Sequence, residues 1–182
     1  MDYYTMKIAG MTRELPLCRV NDRLRIAAFV LFGDAELTVA AAAALLKKAP
    51  DFDLILTAEA KGIPLAHELS RQSGRRYIVA RKYPKLYMPD PVAVRVKSIT
   101  TDKEQTLYAA GTEMAEMRGK RVLLADDVIS SGESLEGLRT LANEAGAAIA
   151  GQCAVLAEGD AAKRGDIFFL EPLPLFFDCL PG

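Results

Sequence analysis

The stretch V-L-L-A-D-D-V-I-S-S-G-E-S-L, residues 122–135, decides the reading of this chain. Val122 to Ala125 form a short apolar run of the kind that makes a buried strand. The run leads directly into two adjacent carboxylates, Asp126 and Asp127. A loop of small hydroxyl residues and a glycine follows: Ser130, Ser131, Gly132 and, past Glu133, Ser134. From Ser134 to Ala145 the pattern is helical, and Gly146 occupies the usual stop position. The order is therefore strand, acid pair, loop, helix.

Working outward, the neighbouring segments alternate in the same way. Ala35 to Lys48 is rich in alanine and leucine, ends in lysines, and is halted by Pro50, which predicts a helix. Leu54 to Thr57 predicts a buried strand. Ile63 to Gln72 has apolar residues at helical spacing, with Pro64 in the first turn. Tyr77 to Ala80 predicts another strand. Val92, Val94 and Val96 alternate with polar or small residues, as in a half-exposed strand paired with Thr106 to Tyr108. Thr112 to Met117 predicts a short helix, and Ile149 to Leu156 and Ile167 to Leu170 the last strands. The two prolines of E-P-L-P-L-F exclude a central strand at the C-terminal end. Strands alternating with helices predict an α/β fold, a mostly parallel sheet flanked by helices. Ligands of such sheets bind at the carboxyl ends of strands, where the acid pair is expected.

Composition narrows the function classes. The chain has 182 residues, enough for one domain, and a net charge of −1, which gives no reason to expect a nucleic-acid or membrane partner. No apolar run reaches the length of a membrane span, and Met1 to Gly10 lacks a signal-peptide pattern, so a cytoplasmic location is expected. Cys18, Cys153 and Cys179 form no CxxC pair, and the single histidine, His67, reads as structural. A zinc site or a disulfide framework is not expected. The G-x-G-x-x-G and G-x-x-x-x-G-K-[ST] nucleotide loops are absent. A receiver domain would carry its acid pair after the first strand, whereas here the pair comes late.

Adjacent strand residues point to opposite sides, so Asp126 and Asp127 can grip different groups of one ligand, or one can hold the ligand while the other orients a loop or water. The first N–H groups of the following helix lack intrahelical partners and can bind an anion, with help from the helix dipole. Gly132 lets the backbone come close. An acid pair beside an anion cradle fits a ligand with a diol or metal at one end and a phosphate at the other, such as a ribose 5-phosphate. An isolated Asp-Asp also fits a solvated turn, and Ser131 also fits a simple helix cap; the fourteen-residue pattern is more specific than either.

That pattern resembles the phosphoribosyl pyrophosphate (PRPP) motif of type I phosphoribosyltransferases, whose loop usually ends T-G-G-T. Here it ends Ser131-Gly132-Glu133-Ser134, and Glu133 in place of a glycine is expected to turn its side chain away from a phosphate. Upstream, T-A-E-A-K-G-I-P-L-A (57–66) resembles the pyrophosphate loop of adenine phosphoribosyltransferases, with Lys61 where that family has arginine. R-K-Y-P-K-L-Y (81–87) is similar to their R-K-x-x-K-L-P segment. S-I-T-T-D-K-E-Q-T-L-Y (98–108) resembles the flexible catalytic loop, and also that loop in bacterial xanthine phosphoribosyltransferases. The four segments occur in order over roughly residues 25–160.

The resemblance implies a single phosphoribosyltransferase domain over 1–182. Its core would be about 45–160, and a hood over the base would be about 1–44 plus 165–182. It implies transfer of ribose 5-phosphate from PRPP to a purine, with Mg2+ as cofactor. Adenine is the first choice, since Ser130 stands where hypoxanthine-guanine enzymes typically place an aspartate. Asp126 and Asp127 would hold the ribose hydroxyls and, indirectly through ribose and water, the metal. Ser130, Ser131, Gly132, Glu133 and Ser134 would cradle the 5-phosphate. Ala60, Lys61 and Gly62 would meet the pyrophosphate. Arg81, Lys82 and Lys85 would add positive charge, from the same chain or across a homodimer. Asp102 or Glu104 would be the proton-transfer residue, although both equally suit a solvent-facing loop. Phe29 or Phe32 would stack on the base, or serve as core. The alternatives are a xanthine enzyme and a non-catalytic PRPP-binding regulator; the lack of an appended DNA-binding segment weighs against a transcription regulator.

Overall fold

The computed structural model describes residues 2–97 and 104–177. In chain order the elements are β1 (Tyr3–Ile8), β2 (Met11–Asn21), β3 (Leu24–Ala27), α1 (Ala35–Leu46), β4 (Leu54–Ala58), α2 (Ile63–Ser73), β5 (Arg76–Ala80), β6 (Val92–Lys97) and β7 (Glu104–Ala109). They continue with α3 (Gly111–Met117), β8 (Arg121–Ile129), α4 (Glu133–Glu144), β9 (Ala148–Glu158), β10 (Phe168–Leu173) and β11 (Leu175–Phe177).

The central sheet has the order β10-β9-β8-β4-β5, and every pairing in it is parallel. Helices cover both faces because each strand is apolar on both sides. In β8, Leu123 and Ala125 join the core that includes α1 and α2, while Val122 and Leu124 join the core beneath α4, α3 and the β6–β7 hairpin. Burying each such Leu or Val is worth about 1.5–3 kcal/mol. Here is the α/β fold expected from the alternating pattern: a parallel sheet, flanking helices and added terminal strands.

Those added strands form a second, antiparallel sheet, β1-β2-β3-β11, which unites the two ends of the described chain. Met6, Ile8, Leu15 and Ala27 from it, with Phe29 just after β3, are buried in the same core as α1 and α2. Arg13 of β2 ties this sheet to the start of α1. Its guanidinium donates to Asp34 at 2.6 and 3.0 Å and to Glu36 at 3.0 Å, while Asp34 also accepts from Leu37 N at 3.1 Å as the helix cap. Arg13 holds the Asp34 carboxyl below its usual range.

Two features differ from the sequence reading. β8 runs on to Ile129, pairing with β9 past the acid pair, so Asp126 and Asp127 lie within a strand rather than at its end. Of the segments assigned to the hood, α1 packs against α2, and β10 forms the outer edge of the central sheet. An edge is where Pro172 can be tolerated.

Candidate active site

The strand order reverses direction between β4 and β8. From β4 the chain steps outward through α2 to β5; from β8 it steps the other way through α4 to β9. Such a switch point leaves a crevice at the carboxyl ends of the two strands. β4 pairs with β8 only as far as Leu56↔Leu124, and beyond that level the chains diverge.

A cleft of ≈ 470 Å3 opens there, within the usual range for small-molecule sites. Its floor is Asp126, Asp127, Val128, Ser130 and Ser134, one wall is Ala58 to Lys61 with Lys82, and the other is Ile26 to Val30 of the antiparallel sheet with Glu158 and Leu173. Next to it lies a small polar depression of ≈ 40 Å3, lined by Asp126 and by residues 128–135. Gly132, at φ +83°, starts α4 without any side-chain cap, so the first N–H groups of the helix have no capping oxygen. That positive φ favours glycine here; a Cβ would lie 2.7 Å from Arg164 Nη1, the end of a flexible side chain that can move aside. Ser131 does not cap the helix. Glu133 is half-buried and is among the residues that line the depression.

The acid pair is deeply placed: Asp126 is 9 % and Asp127 3 % exposed. Asp126 Oδ1 accepts from Asp127 N at 2.9 Å. Burial first, and the adjacent Asp127 charge second, push the Asp126 carboxyl far above the normal carboxylate range, with Lys61 opposing. Lys61 Nζ stands 3.4 Å from Asp127 Oδ2, an ion pair without hydrogen-bond geometry, and that oxygen has no hydrogen-bond partner among the described residues. A buried carboxylate oxygen facing a cleft and lacking a hydrogen bond is costly unless something else approaches it. Among the described residues no group of three or more His, Cys, Asp or Glu forms a ready cage for a metal ion. Two carboxylates facing a polar cleft nonetheless suit Mg2+, which keeps several waters and binds through one or two carboxylates plus substrate phosphates.

Gly62 closes the loop after β4 directly beneath the acid pair. Glu59, a residue the sequence reading passed over, braces this loop: its N–H donates to Ala80 O at 2.9 Å and its carboxylate accepts from Lys82 N at 3.2 Å. The other expected residues are distributed as follows. Arg81 bridges to Tyr108 through two 2.8 Å backbone bonds, and Lys82 reaches the cleft. Lys85 sits on the same segment among exposed Tyr83, Leu86 and Tyr87 and does not line the cleft. Phe29 is 3 % exposed and packs in the core beneath the cleft wall, whereas Phe32 is 55 % exposed and lines a different depression with Val39 and His67. Stacking of Phe32 on a ligand in the main cleft is thus not what this arrangement offers. Asp102 lies outside the described residues; Glu104 opens β7. Glu158, which lines the cleft, was missed because it is a single charged residue outside any recognisable pattern.

Comparison with known proteins bears on this geometry directly. The family model described as "Phosphoribosyl transferase domain" matches residues 34–170. The chain belongs to the type I phosphoribosyltransferase family. It is 34 % identical over 139 residues to the adenine phosphoribosyltransferase of Nocardia farcinica, covering 75 % of this chain and 71 % of that protein. It is also 34 % identical over 114 residues to the hypoxanthine/guanine phosphoribosyltransferase of Methanohalophilus mahii, covering 63 % of this chain and 56 % of that protein. The chain thus spans little more than half the length of several curated relatives it matches. Among solved structures, the adenine phosphoribosyltransferase of Thermoanaerobacter pseudethanolicus shares the fold. Its TM-score is 0.65 at 22 % identity, over 78 % of this chain and 84 % of that one. No helix among the described residues is long and apolar enough to cross a membrane.

Proposed function

We propose that the protein is a Mg2+-dependent purine phosphoribosyltransferase that joins a purine to the ribose 5-phosphate of PRPP and releases pyrophosphate. The observation that carries this reading is the convergence in one cleft of the acid pair, the uncapped start of α4, the loop bearing Lys61, and the wall formed by residues 26–30. In the reaction a purine nitrogen forms a bond to C1 of the ribose, the C1–pyrophosphate bond breaks with its electron pair leaving on pyrophosphate, and the purine N–H proton is released. Residues 130–134 hold the 5-phosphate through backbone N–H groups and serine hydroxyls. Asp126 and Asp127 hold the ribose hydroxyls and would hold, through water, a divalent ion. Such an ion, when bound, would supply charge neutralisation of the leaving group. Lys61, now paired with Asp127, is in reach of the same region and stabilises the developing negative charge. Positioning and charge stabilisation are the bulk of the catalysis.

Adenine is the preferred acceptor, on the likeness of the E-A-K-G and R-K-x-x-K-L segments to adenine enzymes and on Ser130. Because curated relatives of this chain carry both adenine and hypoxanthine/guanine names, the oxo-purines belong in the same assay. Offering adenine, guanine, hypoxanthine and xanthine with PRPP and Mg2+, and measuring pyrophosphate release, tests the proposal. Turnover with one base supports it. Tight PRPP binding with no turnover of any base contradicts it and favours a PRPP-binding regulator. Exposed Tyr83, Leu86 and Tyr87 support the further proposal of a homodimer joined through residues 81–87. A fully active monomer in sedimentation at micromolar concentration would remove that part.

A further inference from the structure

We infer that the Glu158 carboxylate reads position 6 of the base, and that it selects the 6-amino purine adenine over the 6-oxo purines. The inference rests on the phosphoribosyltransferase reading and concerns the end of the cleft that reading leaves without a polar contact. Asp126, Asp127, Ser130 and Ser134 gather on the sugar-phosphate side, and Lys61 and Lys82 on the side of the β4 loop. The remaining wall is Ile26, Ala27, Ala28, Phe29, Val30 and Leu173, which is apolar in its side chains. Glu158 is the one ionisable residue in that wall.

Its position is fixed by the fold rather than by a loop. Glu158 is the last residue of β9, the strand beside β8, and it pairs in parallel register with Leu173 of β10. Its side chain is half-buried. It makes no hydrogen bond or ion pair with any described residue, and Lys61 is the one charge that acts on it. Elsewhere in the fold carboxylates of similar depth are engaged: Asp34 by Arg13 and Asp53 by Arg121. Glu158 alone faces the cleft unengaged beside apolar neighbours, and that burial raises its carboxyl above the usual range.

An ionised carboxylate only accepts hydrogen bonds. The 6-amino group of adenine supplies the missing donor. At the same place the 6-oxo group of hypoxanthine, guanine or xanthine sets acceptor against acceptor, and the carboxylate then loses water without gaining a partner. Sites built to receive a substrate N–H discriminate strongly against analogues that lack it. For a half-buried group the expected preference is roughly tenfold to a hundredfold.

The test is steady-state kinetics of the wild-type protein, Glu158→Gln and Glu158→Ala with adenine, guanine, hypoxanthine and xanthine at saturating PRPP and Mg2+. The wild type should prefer adenine. Glu158→Gln, whose amide can donate to an oxo group, should lower the adenine-to-hypoxanthine ratio of kcat/KM at least tenfold, through KM for the base. KM for PRPP should stay within twofold, which a merely structural role for Glu158 would not produce. If the wild type favours guanine, hypoxanthine or xanthine, the inference is wrong while the phosphoribosyltransferase reading stands. The same holds if both variants keep the wild-type base ratio. If PRPP binds but no base reacts in the wild type, the inference and the proposed function fall together.

Discussion

A methyl group built on Gly62 would sit 2.4 Å from Thr57 Oγ1 and 3.0 Å from Asp126 Oδ1. No real side chain tolerates the first of these distances, so the loop carrying Lys61 packs against the acid pair only because residue 62 has no Cβ. Gly62→Ala should therefore destabilise the protein by about 1–3 kcal/mol in urea unfolding, the usual cost of overpacking. Thr57→Ala in the same chain should recover part of the loss, since the Thr57 hydroxyl is buried without a hydrogen-bond partner and its removal forfeits none. Equal stability of Gly62→Ala and wild type would show that the loop is not packed as described. At this scale much of the site was legible beforehand. Asp126, Asp127, Lys61, Gly62 and the serines were all singled out from two short motifs, because those motifs compress strand, turn and helix start into contiguous sequence. Glu158 and Glu59 were not, because their significance comes from what the sheet brings beside them.

The elements divide along similar lines. α2 was readable from its 3.6-residue spacing and Pro64, and the alternation of apolar runs with helical segments foretold the parallel sheet. β1 to β3 were not readable as individual strands. Their hairpin turns at Ala9-Gly10, both residues at positive φ, a dipeptide much weaker as a turn signal than Asn-Gly. β2 carries Pro16 and has few buried positions, so its period-2 pattern is faint. Within α2, Glu68 shows how one element can carry a pH signature. It is almost fully buried, accepts from Arg71 at 2.6 Å and from Gln72 at 2.7 Å, and Arg71 above all draws its carboxyl down to about 2. A carboxyl lowered from 4.5 to about 2 contributes stability that is complete above the unfolded value and fades as pH falls through the folded one. Glu68→Gln should thus cost about 1 kcal/mol at pH 7 and progressively less as pH drops from about 4.5 to about 2, measured by urea unfolding across pH. A loss that does not change with pH would mean the carboxylate's charge is not what matters.

Taken as a whole, the molecule places two loops from opposite sides of a strand-order reversal around one cleft, then covers it with a sheet made from both chain ends. That closure was only outlined by the sequence, since the pairing of β11 with β3 joins residues 175–177 to residues 24–26 and leaves no local trace. Arg13 and its two acidic partners fasten this cover to α1, so the apolar wall and the polar floor of the cleft are parts of one packed body. The central claim is that this cleft holds PRPP through the acid pair. The direct measurement is the melting temperature with and without millimolar PRPP and Mg2+, for wild type and for Asp127→Asn. A ligand at a hundred times its Kd stabilises by about 2.7 kcal/mol, which for a chain of this size corresponds to roughly 5–10 °C. The account predicts a rise of that order for the wild type and loss of most of it in Asp127→Asn, whose melting temperature without ligand should stay close to or above that of the wild type because a crowded negative charge is removed. No rise in the wild type at millimolar PRPP with Mg2+ would contradict it.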